Sequence, residues 1–189
     1  MSMWKVFKRG LCALAGAAWL SSSAWAADPV LSSTSSPNPA APGGSVAVTI
    51  NISNIADLFA YPCALSFDAT LLQLSSVSAG SFLSGAGSTV FDGGVVDNGA
   101  GSLSFVYESL LGPVSGASGS GSLAVLYFDV LGAGSSALWF SDAVFLDSAL
   151  ADITVQALPG SVTAVPEPSA LLMMCLGLTG LLLVRRRAA

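Results

Sequence analysis

Between Arg9 and Arg185 this chain of 189 residues carries no lysine or arginine, and no histidine occurs anywhere. All six basic residues lie at 5, 8, 9 and 185–187, whereas ten of the eleven acids fall within residues 27–165, only Glu167 lying outside. The intervening region therefore has ten acids, no base and a formal charge of −10, which the whole-chain value of −5 conceals. A domain so composed cannot build internal salt bridges. Apolar burial and backbone hydrogen bonding must hold it together. Its acidity repels phosphate backbones and argues against nucleic acid as a partner. Charged partners would be basic proteins or divalent cations.

The 139 residues from Ala27 to Val165 suffice for one core. Residues 27–44 read as a lead-in, rich in Ser, Pro and Gly from Ser32 to Gly44, with first-strand pairing possible around Val30 to Ser32. The sandwich proper is expected over 45–163, starting as early as residue 30 if that pairing forms. Val46, Val48, Ile50 and Ile52 alternate with Ala47, Thr49 and Asn51, the period of a half-buried strand. Further strands are expected at about Tyr61 to Phe67, Leu72 to Ser78, Thr89 to Val95, Ser102 to Tyr107, Ser122 to Leu131, Ser136 to Phe145 and Ile153 to Val162. No useful helical period appears between the two ends of the chain. Short strands joined by glycine and serine turns predict an all-β antiparallel sandwich or jelly roll. Cys63 is the only cysteine in this region, since Cys12 and Cys175 lie in the flanking segments. It is expected to be a small buried hydrophobe.

The flanks carry targeting chemistry. Lys5, Lys8 and Arg9 precede an apolar run from Gly10 to Leu20, and Ala24-Trp25-Ala26 offers small residues for cleavage, so residues 1–26 read as a signal peptide cut after Ala26. At the other end Val165-Pro166-Glu167-Pro168 precedes an apolar stem from Ser169 to Val184 and then Arg185-Arg186-Arg187. The stem falls just short of the roughly 17 residues usual for a spanning helix, but terminal arginines can snorkel. They also keep that end cytoplasmic, leaving 27–165 on the opposite side. Gly177 and Gly180 miss the spacing of a helix-dimer face. This tail resembles the PEP-CTERM sorting signal of Gram-negative bacteria. The resemblance implies that residues 164–189 are a sorting signal, inserted in the inner membrane through a helix at 169–184 and then processed by an exosortase. A plain stop-transfer anchor is the alternative.

A second resemblance rests on the order of the strands. Asn54-Ile55-Ala56-Asp57-Leu58-Phe59-Ala60-Tyr61, followed by Leu65-Ser66-Phe67-Asp68-Ala69-Thr70-Leu71-Leu72, is similar to the early strands of a cohesin domain, including an aromatic-Asp-x-x-x-Leu step at Phe67, Asp68 and Leu72. The run from Gly119 to Val130 with the turn at Gly134-Ser135-Ser136 resembles the long cohesin strand. Asp142 to Ile153 resembles the terminal strands. The likeness spans about residues 30–163 and implies a nine-stranded, cohesin-like jelly-roll binding module. Cohesins of cellulosomes bind dockerins through one sheet face, and the calcium in that interaction belongs to the dockerin.

Without histidine, Ser-His-Asp, Cys-His and histidine-zinc chemistry are excluded. A glycosidase pair would have to join Glu108, the only glutamate of the region, to an aspartate such as Asp129 or Asp142. These acids read instead as solvated strand ends and turns, so no catalytic residue and no enzyme is expected. Calcium is the cofactor the acids would suit, with Asp142, Asp147 and Asp152 as candidate ligands and Asp92, Asp97 and Asn98 as a second group. Neither has the spacing of a dedicated calcium loop, and turns are the competing reading. Asp68 reads as a turn-forming residue.

Trp139 and Phe140 must point to opposite sides of a strand, so one is expected in the core and the other outside. Trp139 and Tyr107 are the candidate ligand contacts, with Phe59 and Tyr61 as further aromatics. Asn51-Ile52-Ser53 matches a glycosylation pattern by chance. The resulting expectation is an exported, non-catalytic, cohesin-like scaffold or adhesive module at the cell surface or in the extracellular matrix. Signal peptidase and exosortase act on it during export, and its partner is an extracellular protein. A carbohydrate-binding jelly roll linked to extracellular polysaccharide is the alternative.

Overall fold

A computed structural model describes residues 27–166. The segment 1–26 with Ala24 and Ala26, and Glu167, Pro168, the stem at 169–184 and Arg185, Arg186 and Arg187, lie outside the described residues. Every regular element described is a strand: β1 (Val30–Ser36), β2 (Ser45–Leu58), β3 (Ala60–Ser66), β4 (Leu72–Ala79), β5 (Thr89–Asp92), β6 (Val95–Asp97), β7 (Ser102–Leu110), β8 (Ala117–Val130), β9 (Gly134–Ser141), β10 (Gln156–Ala157) and β11 (Gly160–Ala164). None of the described residues forms a helix long and apolar enough to cross a membrane.

Two sheets form the sandwich. One runs β10-β1-β2-β8-β4, the other β11-β9-β3-β7-β5 with β6 also paired to β7. Pairing is antiparallel except for β1 with β10 and an isolated parallel bridge between Ala40 and Ala164. Those short parallel contacts qualify the purely antiparallel expectation. They arise where β10 lies beside β1 and where Ala40, just past β1, meets the end of β11 at Ala164.

The alternation in β2 places Val46, Val48, Ile50 and Ile52 in the interior, paired in register with Phe128, Leu126, Ala124 and Gly121 of β8. Leu65 and Cys63 of β3, Leu103 and Val106 of β7, Leu138 of β9 and Val162 of β11 belong to the same core from the other sheet. Each such side chain contributes about 1.5–3 kcal/mol by leaving water. Phe67 meets Phe128 edge to face, with ring centroids 5.0 Å apart. The continuous core lies between Leu31 and Ala164, so the described segment is self-contained.

Several strand limits differ from the alternation alone. The first strand continues to Ser36, so the Ser-rich lead-in is part of the sheet. Thr89 to Val95 is broken by Gly93-Gly94 into β5 and β6. Gly94, at φ +76°, leaves no room for a Cβ against the Ser104 carbonyl. The strand through Trp139 stops at Ser141 because Asp142 turns to φ +48°. Ile153 to Val162 yields only two short strands, and β8 begins five residues before Ser122. Among the described residues there are eleven strands, two to fourteen residues long, where the resemblance implied nine.

Candidate functional site

The outer face of the six-stranded sheet presents exposed Phe105 and Trp139 and half-buried Tyr107, whereas exposed Tyr127 lies on β8 of the other sheet. On β3, Pro62 pairs with Tyr107 of β7, and Ser66 pairs with Trp139 of β9. Pro62 and Ser66 are four residues apart and share a face, so the two aromatic positions are separated by about 13 Å along the strand. Phe140 instead turns inward, half-buried against the core, as its neighbour Trp139 points out.

A register shift between Cys63 and Leu65 sets one β3 residue, Ala64, against both Ser104 and Phe105. Both β7 residues then face outward. Phe105 adopts φ +59° and remains 59% exposed. Such a conformation costs a bulky L-residue on the order of 1–3 kcal/mol and persists only where neighbours enforce it. The ring lies nearly parallel to that of Tyr107, interplanar angle 8° and centroids 5.9 Å apart. Val95, 71% exposed, pairs with Ser104 beside them. Pro62, Cys63, Ala64, Ser104, Phe105 and Asp142 line a depression of about 300 Å³. Asp92, paired with Tyr107, and Asp97, paired with Ser102, add carboxylates around this apolar patch. The outward bulge was not legible as alternation, since Phe105 sits one position out of phase with Leu103.

Tyr61 is no ligand platform. It is fully buried, its hydroxyl donating to the Leu123 carbonyl at 2.7 Å. The same oxygen lies 3.3 Å from Glu108 Oε2. Phe59 is also packed against the core. Glu108 departs furthest from expectation: it is no solvated strand end but a side chain closed off from solvent, with Oε1 lacking a hydrogen-bond partner. Burial raises its pKa, opposed by the hydroxyls of Thr89 and Tyr61. The phenol has one proton, and the carbonyl of Leu123 can only accept. That proton is committed to Leu123 in the shorter contact, so the 3.3 Å approach to Glu108 Oε2 is the weaker of the two. Burial also pushes the Cys63 thiol up to about 12, leaving it unreactive.

No catalytic pair forms around Glu108. Asp129 is exposed on β8, in the opposite sheet, and Asp142 is exposed beyond the end of β9. The proposed calcium ligands do not converge either: among the described residues no group of three or more Asp, Glu, Cys or His side chains is placed to hold a metal ion. Asp147 Oδ1 instead accepts from the amides of Ala149 and Ala151, both at 2.8 Å, closing a turn. Asp92 accepts from Gly94, and Asp97 from Gly99 and Ala100. Asn98 exchanges two hydrogen bonds with the backbone of Leu74, and Asp68 accepts from the amide and hydroxyl of Thr70. Asn51 is engaged on β2, donating to Thr34 Oγ1. Asp57, which the pattern did not single out, ties two loops together. Its carboxylate accepts from the Ser148 hydroxyl at 2.6 Å and the Gly116 amide at 2.7 Å, bonds that lower its pKa.

Comparison with known proteins agrees with this geometry. Residues 33–164 match the family model of the cohesin domain, and residues 164–187 match the PEP-CTERM protein-sorting motif. No curated protein matches. Among solved structures, a non-cellulosomal cohesin from the hyperthermophilic archaeon Archaeoglobus fulgidus is 22% identical, covering 78% of this chain and 98% of its own, with a TM-score of 0.60. The second type II cohesin module of the adaptor scaffoldin ScaA of Acetivibrio cellulolyticus is 18% identical, covering 76% and 94%, with a TM-score of 0.62. A type II Cohesin-X-Dockerin complex from the same organism matches at 17% identity, covering 73% of this chain and 100% of that one, with a TM-score of 0.60. These likenesses establish the fold, and the family model, extending over most of the sequence, establishes kinship: the chain belongs to the cohesin family.

Proposed function

We propose that this protein is an exosortase-sorted surface scaffold that holds a partner protein on the outer face of its six-stranded sheet, over Phe105, Tyr107 and Val95. Cohesin domains are non-catalytic protein-binding modules, and the PEP-CTERM motif marks the chain for export and sorting to the surface of a Gram-negative cell. On this reading signal peptidase removes residues 1–26. The 169–184 stem then holds an inner-membrane intermediate until the exosortase acts.

The observation that carries the binding reading is Phe105. A strained, solvent-facing aromatic stacked on a second aromatic lowers monomer stability, which is the pattern of a residue kept for contact. Asp92, Asp97 and Asp142 border the patch, and the domain has no lysine or arginine, so electrostatics favour a basic partner. A cohesin relative occurs in complex with a dockerin-bearing chain, which makes a dockerin-like protein the first partner to test.

The experiment is capture of exported proteins from the same cells on immobilised residues 27–166. A stoichiometric partner retained by the wild type and lost with Phe105→Ser/Tyr107→Ser supports the reading. Unchanged retention of that partner by the double variant would remove the face from the account.

A further inference from the structure

We propose that a groove beside Trp139, where the two sheets approach each other, is a subsite for a neutral oligosaccharide, at the β9–β11 edge of the six-stranded sheet and apart from the Phe105 patch on β7. The groove forms along β1, β9 and β11. Gly160 makes it possible, because a Cβ there would overlap Ser33 Oγ and hold β1 away from β11. The rim is tied in place by side chains. Ser35 donates to the Ser161 carbonyl at 3.1 Å, Asn38 Nδ2 donates to Ser35 Oγ at 2.9 Å, and Asn38 Oδ1 accepts from the Thr163 amide at 3.1 Å.

The resulting space is an open, shallow groove of about 580 Å³, a shape suited to an extended chain lying along it. Ser33, Thr34, Ser35, Asn38, Trp139 and Ser161 supply its character. Trp139 is 58% exposed, a wide apolar plane standing among hydroxyls and an amide. A pyranose has the matching surface: one face of C–H groups to stack on an indole and a rim of hydroxyls to exchange hydrogen bonds.

Charge decides the class of sugar. No ionisable side chain lines the groove. The described domain carries only acids, so an anionic polysaccharide gains no cation and meets a repulsive field. A cationic ligand would find no carboxylate in the groove. Pre-tied polar groups also reduce the ordering cost of binding, which favours a weakly interacting uncharged ligand.

The sequence provides its own probe. Of the four tryptophans, Trp4, Trp19 and Trp25 lie in residues 1–26, so Trp139 is the only one in 27–166. Fluorescence titration of that self-contained domain with cellohexaose, maltohexaose and mannohexaose should give a saturable emission change with at least one of them. Oligogalacturonate should give none. In affinity electrophoresis through the polysaccharide corresponding to the responding probe, Trp139→Ala should lose at least tenfold in affinity at an unchanged melting temperature. Asn38→Ala, which keeps the indole, should weaken the fluorescence titration. Phe105→Ser/Tyr107→Ser should leave sugar binding intact. No saturable change with any neutral probe, equal response to oligogalacturonate, or wild-type retention of Trp139→Ala would overturn the proposal.

Discussion

Replacing Glu108 with leucine should make the domain more stable at neutral pH, although the residue is wholly buried. The substitution removes Oε1, a buried acceptor without a partner, whose desolvation costs about 1–3 kcal/mol. It also removes the 3.3 Å contact with Tyr61 and the contact with the Thr89 hydroxyl, each worth about 0.5–1.5 kcal/mol. Tyr61 retains its 2.7 Å bond to Leu123. These terms nearly cancel, so the advantage of leucine at neutral pH comes from removing a carboxyl whose charged form burial penalises, and is at most about 1 kcal/mol, or roughly 4 °C in melting temperature for a domain of this size. The pH dependence is the sharper signature. Desolvation raises the native pKa of Glu108 above the reference 4.5, so the native state binds the proton more tightly than the unfolded chain does. Its contribution to stability is fully present below the unfolded value and is lost as pH rises through the native one, with a slope of at most about 1.4 kcal/mol per pH unit. Asp57 and Asp68, whose pKa values are lowered, act in the opposite sense, losing stability as pH falls below their unfolded value of 3.8. Urea denaturation of wild type, Glu108→Gln and Glu108→Leu between pH 4.5 and 8 separates the two. Wild type should weaken over part of that range relative to both variants. A wild type that strengthens with pH, together with a leucine variant destabilised by more than about 2 kcal/mol, would refute a pKa raised by burial at Glu108.

Ile50→Asp places an unpaired charge in the core of β2 and should cost several kcal/mol in the same assay, whereas a negligible change would mean that face is not interior. Phe105→Gly relieves the φ +59° conformation and should raise stability by about 1 kcal/mol while lowering partner capture; a destabilised domain would show that the ring packs against the fold. Millimolar calcium should leave thermal unfolding superimposable on that with chelator, since Asp142, Asp147 and Asp152 are not gathered and Asp147 already serves a turn. A rise of several degrees would reveal a native-state site.

The fold was legible where period two was clean. Val46, Val48, Ile50 and Ile52 announce an interior face because every second residue is branched and apolar. It was less legible where tertiary contact overrides the pattern. Ser33 and Ser35 look like linker, yet the register of β1 with β2 makes them strand. Gly93-Gly94 divides a strand because β7 bulges beneath it. Of the candidate contacts, Trp139 was separable from Phe140 by parity alone. Phe105 was not, because a bulge shifts parity without leaving a local sequence mark. Glu108 occupies a position whose neighbours Val106 and Leu110 are buried, so its inward direction was implicit in the alternation, and its charge concealed it. The acids spaced five apart at 142, 147 and 152 illustrate the converse: regular spacing in irregular backbone does not bring side chains together.

The measurement that tests sorting to the cell surface most directly is the intact mass of the protein recovered from the surface fraction. Trypsin has no site between Arg9 and Arg185, so whole-protein mass or cleavage at Asp and Glu is required. The account predicts surface protein lacking Leu171 to Arg187, and a longer, membrane-bound form when Pro166-Glu167-Pro168 is replaced by three alanines. Surface-located wild-type protein that retains the complete tail through Arg187 would contradict it.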